Sequence, residues 1–437
     1  MTTQPNKELL QPNPAPRPGT RRGMLSGILN TLASRLVAVA VATVAFAPAV
    51  FATPIEILFL GNSYTFGRVD PVLSYNAANV HDLTAAFNAT SSAGSNPWEP
   101  HPWGGIAGLF KKMTDEAGLN YDVSISARNA ATLRGQYLDT ANAAWLLREN
   151  VATQKWDVVV LQEQSDAPLP NGKGKNANLA TFNAYADQFE KFIHNGAAQS
   201  YTETQLFGSL ANCTATGLSA TSCGLTRTTA ANTNASAATK VYLTETWARP
   251  DMVFPHLNTV ADATTSDGRP IVDTSGSPSG TQATLYYQTL AAMTADLHLD
   301  FYNKAGTNPK FAGVIQVGDA FQLAVNANLV QTGGFYNAAG TYTPQLPMDL
   351  WWEDYLHASK YGSYLDALVQ FGTITGLDPR SLGFNEIAAH DLGISGSDAY
   401  ALQQIAAATL GLPEPASLLL LLTGLGMLGF IARRRAA

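Results

Sequence analysis

Cysteine is almost missing from this chain: 437 residues contain only Cys213 and Cys223, set in a stretch rich in Thr, Ser, Ala and Gly. Two thiols alone leave a zinc site incomplete, and no metal-ligand spacing accompanies them, so no metal centre is expected there. In an oxidising compartment the pair reads instead as a small disulfide-closed loop. Basic charge is also short. The 26 Lys and Arg against 33 Asp and Glu leave a net charge of -7, with no basic cluster inside the body. A nucleic-acid partner is therefore excluded for want of an electrostatic footprint. No internal repeat occurs. What the chain does have is apolar content, 46% of its residues, enough for a sizeable core. Its length fits either two domains or one large α/β domain.

Both ends read as addresses. Residues 1 to about 28 are polar and Pro-rich with Arg21-Arg22, whereas Ile28 to Ala52 is largely apolar, interrupted by Arg35, and closes on Val50-Phe51-Ala52. Small residues at 50 and 52 suit signal-peptidase cleavage before Thr53, the alternative being an uncleaved N-terminal anchor. Thr20-Arg21-Arg22-Gly23-Met24-Leu25 also loosely resembles a twin-arginine signal, which leaves the export route open. At the other end, Leu412-Pro413-Glu414-Pro415 precedes an apolar run from Ala416 to Ala432 and then Arg433-Arg434-Arg435. This order resembles the PEP-CTERM sorting signal of Gram-negative bacteria. The resemblance implies a processing machinery as partner and a transient membrane anchor through one hydrophobic helix. The run is near the lower length limit for a span, and the basic tail belongs on the cytoplasmic side; an ordinary tail anchor would share that topology. The expected layout is an export region (1–52), a body (53–392), a linker (393–412) and a sorting signal (413–437). The body is expected outside the cytoplasm, in the cell envelope or on the extracellular surface.

Within the body, short apolar runs alternate with longer segments of helical pattern. Ile55 to Leu60, Tyr121 to Ser126, Trp156 to Leu161, Val241 to Thr246 and Gly313 to Val317 predict strands buried on both faces. Gly105 to Glu116, Asn178 to His194 and Thr281 to Tyr302 predict helices, with a last one around Asp398 to Ala408. The alternation implies an α/β fold, a mostly parallel five-stranded sheet in a three-layer sandwich. Two Gly/Pro/Ser-rich segments, 70–104 and 256–280, read as surface-loop insertions. Trp98 and Trp103 in the first are either sugar-stacking platforms or plugs that hold the loop on the core.

Chemistry in such sheets collects beyond the carboxyl ends of strands. Gly61-Asn62-Ser63-Tyr64-Thr65 follows the first predicted strand, and Asp354-Tyr355-Leu356-His357 lies far downstream. A serine hydroxyl needs a base to take its proton, and His357 is the candidate, with Asp354 to fix its tautomer. At a helix start, Ser63 would also offer backbone N–H groups to a developing oxyanion. By itself Gly-Asn-Ser is equally a plain turn. The other histidines, His81, His101, His194, His256, His298 and His390, lack the Asp-x-x-His context and read as surface or helix-end residues.

Gly61-Asn62-Ser63-Tyr64 and Asp354-Tyr355-Leu356-His357, with the following run from His357 to Leu365, resemble the first and last blocks of the SGNH, or GDSL-like, hydrolases, in the subgroup with a Gly-Asn-Ser start. The resemblance implies a flavodoxin-like SGNH fold, a Ser63-His357-Asp354 triad and no cofactor. Family members usually add an oxyanion-hole glycine after the second strand and an asparagine after the third. Gln164, in Leu161-Gln162-Glu163-Gln164-Ser165, stands at the asparagine's place and can donate through its amide. Asn129-Ala130-Ala131-Thr132-Leu133 stands at the glycine's place, with the Ala131 N–H as the expected donor. Asn62, Gln162, Trp247 and Asp319 are expected near the cleft, Asp319 being equally readable as part of a turn. The resemblance implies an exported esterase acting on an acylated carbohydrate or other small ester, with deacetylation of extracellular or envelope polysaccharide as the expected role. The competing expectation is a catalytically silent surface protein that binds matrix polysaccharide on the same scaffold.

Overall fold

The computed structural model describes residues 53–86, 99–140, 143–259, 264–271, 275–343 and 348–413. The export region, Trp98 and the sorting signal beyond Pro413 lie outside the described residues.

Apolar runs dictate the centre of the fold. In β1 (Ile55–Gly61) the residues Ile57, Leu58, Phe59 and Leu60 are wholly buried, and β4 (Val158–Gln162) is buried along its length. A strand without alternation of polar and apolar residues has both faces covered, which is the condition of a parallel sheet between helices. Accordingly β1 pairs in parallel with β3 (Tyr121–Ala127) on one side and β4 on the other. Outward from β4 come β7 (Lys240–Thr244) and β8 (Phe311–Ile315), again parallel.

The sheet has six strands where five were expected, in the order β2-β3-β1-β4-β7-β8. The extra strand, β2, is only His81–Asp82, a parallel edge on β3 inside what reads as a loop insertion. A separate antiparallel pair, β5 (Gln199–Thr202) and β6 (Thr226–Thr229), flanks three short helices. Within it Cys213 and Cys223 are joined in a disulfide, with Cα atoms 6.0 Å apart.

Helices flank the sheet. Lys360–Thr375 packs against Gly105–Glu116 and Gly396–Thr409, and Phe182 of Leu179–His194 meets Phe301 of Leu290–Thr307 edge-on at 5.0 Å. The helix predicted from Thr281 begins at Leu290 instead, because Thr289 caps it by accepting the Ala292 N–H. Among the described residues no helix is long and apolar enough to cross a membrane. The strand order reverses about β1, since β3 lies on one side and β4 on the other. A crevice at such a reversal, beyond the carboxyl ends, is where open α/β sheets hold ligands.

Candidate active site

Gly61 ends β1, and the chain turns at once into the short helix Ser63–Phe66. Asn62 caps it in an extended conformation, its Oδ1 accepting the Tyr64 N–H at 3.1 Å, and Gly67 ends it with φ 60°. Gln162, the last residue of β4, braces the turn: its Oε1 accepts the Asn62 N–H and the Thr65 hydroxyl, both at 3.0 Å. Gly61 has to be glycine here, because a Cβ would stand 2.0 Å from Thr65 Oγ1 and 2.7 Å from Gln162 Oε1.

The downstream segment meets this turn from the other side. His357 Nε2 lies 2.8 Å from Ser63 Oγ, and His357 Nδ1 lies 2.6 Å from Asp354 Oδ2. Asp354 Oδ1 also accepts the N–H groups of Leu356 and His357 at 3.0 and 2.9 Å. Burial opposes its ionisation, but the His357 ring, Arg68 and these N–H groups outweigh burial and hold the carboxyl far below the ordinary range. An ionised Asp354 fixes the proton on Nδ1, so Nε2 presents its lone pair to the serine hydroxyl. For His357 burial is the largest influence. Together with the Arg68 charge it outweighs Asp354 and lowers the pKa below 6.5. The imidazole is therefore neutral, and ready as a base, at neutral pH.

The loop carrying Asp354 and His357 is fastened to the helix that begins at Ser63. Tyr64 Oη donates to the Leu356 carbonyl at 2.9 Å and Trp247 Nε1 donates to the same oxygen at 3.1 Å. The two rings stack with centroids 3.9 Å apart. This corrects the expectation for Trp247: it is 1% exposed and backs Tyr64 instead of lining the cleft. Gln162 likewise lies beneath the serine turn. Asp319 is not at the cleft; it sits in the first turn of the helix Val317–Asn326 and pairs with His298 at 2.8 Å.

A cleft of about 370 Å³ opens over Ser63 and His357. Asn62 borders it, but both ends of its amide are engaged, Nδ2 donating to the Ala131 carbonyl at 3.0 Å. Gln164 borders it as expected. Its Nε2 donates one hydrogen to Ser165 Oγ at 3.0 Å, which leaves the second for a ligand. The expectation for Ala131 needs correction. Its N–H is spent on the Arg128 carbonyl at 3.2 Å, and the residue that faces the cleft is Ala130, with φ 55°. Glu163 stitches the two loops together, its Oε1 accepting the N–H groups of Leu133 at 2.9 Å and Gln164 at 2.6 Å. Burial pushes its carboxyl up to about 8 despite those donors, so it is protonated at neutral pH.

Sequence reasoning missed the cations of the rim. Arg68 and Lys175 both border the cleft, and among the described residues no carboxylate does. Arg68 Nη1 is 3.5 Å from His357 Nε2, and Arg68 Nε pairs with the buried Glu99 at 3.2 Å. Arg269 joins from the second predicted insertion, donating to the Arg68 carbonyl at 2.7 Å. The one available signal was a cation placed five residues after the serine. Trp103 is a plug, stacked on Phe66 at 3.9 Å and 3% exposed. His101 and His256 are buried, not at the surface.

No family model and no curated protein matches this chain. Solved structures do. A candidate SGNH hydrolase from Slackia heliotrinireducens aligns at 17% identity over 74% of this chain and all of its own, with a TM-score of 0.32. A DUF4886 family protein from Bacteroides uniformis aligns at 11% identity over 84% of this chain and 99% of its own, with a TM-score of 0.37. An inhibitor-bound aryl esterase from M. smegmatis aligns at 12% identity over 74% and 99%, with a TM-score of 0.31. Likeness at this level carries no argument about activity, which has to come from the geometry of the site.

Proposed function

We propose that this chain is an exported serine esterase of the SGNH type. The observation that carries the reading is the continuous relay Ser63 Oγ, His357 Nε2, His357 Nδ1, Asp354 Oδ2, with steps of 2.8 and 2.6 Å, opening on a cleft at the carboxyl end of β1. Ser63 attacks an ester carbonyl as His357 takes its proton. The Ser63 N–H at the helix start and the free hydrogen of Gln164 Nε2 stabilise the oxyanion, and His357 returns the proton to the leaving alcohol. Water then repeats the sequence on the acyl-enzyme. These steps call for no metal and no organic cofactor.

The substrate in this reading is an acylated, most plainly acetylated, extracellular or envelope polysaccharide. Arg68 and Lys175 along the rim, with no carboxylate among the described residues that border the cleft, favour a glycan that carries negative charge, such as one containing uronic acid. Residues 1–52 and the Pro-Glu-Pro tail support an exported, transiently anchored enzyme by their sequence alone; fractionation of cells expressing the full chain tests it, and recovery in the cytoplasm would refute it. A silent polysaccharide-binding scaffold is the second reading, and it draws on the missing glycine of the 129–133 loop. Ala130 weakens it by adopting the positive φ that a glycine would supply.

Hydrolysis of a short-chain aryl ester by the intact chain, compared with Ser63→Ala, separates the two. Loss of ~10⁶ in kcat is the expected cost of removing a triad serine. Wild type and variant equally inactive, with glycan binding intact, would favour the silent scaffold.

A further inference from the structure

Outside the cleft, one cluster of metal-ligating side chains among the described residues gathers beyond the ends of β7 and β8. Glu245 directly follows β7, Asp319 lies in the first turn of Val317–Asn326, and His298 projects from Leu290–Thr307. One ligand atom from each lies within 4.8 Å of the other two. His298 Nδ1 is 2.8 Å from Asp319 Oδ2, and Glu245 Oε2 accepts the Asp319 N–H at 3.2 Å.

A structural cap explains only half of Glu245. The residue is 0% exposed, and its second oxygen, Oε1, is buried without a hydrogen-bond partner. An orphaned buried carboxylate oxygen is costly unless something charged or protic meets it. No Lys or Arg among the described residues forms an ion pair with Glu245 or Asp319; His298 is the one basic group beside them. Gly318 makes the crowding feasible, since a Cβ there would meet the Thr246 carbonyl at 2.3 Å and Glu245 Cδ at 3.1 Å. His298 and Asp319 remain 43% and 26% exposed, which leaves a path for an ion and room for water to complete its shell.

We infer that Glu245, His298 and Asp319 form a binding site for one divalent first-row transition cation. One imidazole nitrogen and two carboxylates are a borderline donor set of the kind that takes Zn²⁺. Tetrahedral bonds of ~2.0–2.2 Å put ligand atoms roughly 3.4 Å apart, so the hydrogen-bonded His298–Asp319 pair opens slightly to admit the ion and releases the proton they share. The ion does no chemistry on an ester. It ties the end of β7 to two helices.

The intact chain, stripped with EDTA, is titrated with Zn²⁺ by calorimetry, and its thermal unfolding is followed with and without the ion. One Zn²⁺ per chain and a raised Tm are expected. His298→Ala, half-exposed and therefore compatible with folding, is expected to weaken binding by at least ~10-fold, the lower end of what losing even an outer partner of a metal costs. Glu245→Gln is expected to do the same. His81→Ala and His390→Ala, at exposed His-Asp pairs elsewhere, are expected to leave binding unchanged. Absence of stoichiometric binding, or binding that survives His298→Ala, overturns the site.

Discussion

The serine turn and the cationic rim face the same cleft, yet they are built by opposite means. The turn is local. Strand β1, the Asn62 cap and the Gly67 stop lie within a few residues of Ser63, and distant residues such as Gln162 and Ala131 only brace a turn already made. The rim depends on parts remote in the chain: Arg68, which borders the cleft after the serine helix, is held from behind by Glu99 from one insertion and Arg269 from the other. The comparison teaches that placing a nucleophile is a matter of secondary structure, whereas setting the charge around its base is a matter of tertiary folding. Insertions that read as decoration thereby acquire an electrostatic task.

That contrast can be broken at three points. The largest effect is expected from Asp354→Asn. The amide would direct N–H toward His357 Nδ1 and force the proton onto Nε2, where it cannot accept from Ser63. Esterase kcat should fall by ~10⁴ with little change in the circular dichroism spectrum. A loss below tenfold would show that the acid is not the orienter. Next comes Gly61→Ala, which inserts a methyl against Thr65 and Gln162. Overpacking of that kind costs about 1–3 kcal/mol, measurable by urea unfolding, and activity should drop as the turn shifts. An unperturbed variant would mean that the turn is not locally specified.

The smallest effect belongs to the rim. Because His357 must be neutral to act and its pKa is lowered, activity should persist as pH falls below 6.5 and fail only on the acid side of the lowered value. Arg68→Met removes one contribution that lowers it, so the acid limb of kcat/KM should move toward higher pH. An unmoved limb would detach the rim from the base and confine Arg68 to substrate contact.

How far the sequence could be read follows the same division. The five longer strands were legible because runs such as Val158 to Leu161 are apolar without a break, whereas β2 is two residues whose only reason to be extended is the free edge of β3. Ser63, Asp354 and His357 were legible because Asp-x-x-His is a local pattern and the serine closes an apolar run. Gln162 and Gln164 illustrate what was not. Two residues apart at one strand end, one turns under the serine and the other borders the cleft. Trp247 misled because an aromatic at a strand end is as useful for stacking on Tyr64 as for gripping a substrate. Glu99 and Arg269 carry no mark in the sequence that they meet Arg68.

The Leu356 carbonyl, which receives both Tyr64 and Trp247, has a mechanical consequence. Its two acceptor sites are both used, one by the neighbour of the nucleophile and one by the segment after β7. The jaw that holds the base is thus pinned at a single atom to the jaw that holds the nucleophile. A displacement of either jaw that keeps both hydrogen bonds carries the other with it. Glu99, Lys175 and Arg269 take no part in that pin, so a shift of the loops that bear them would leave Ser63 and His357 in register.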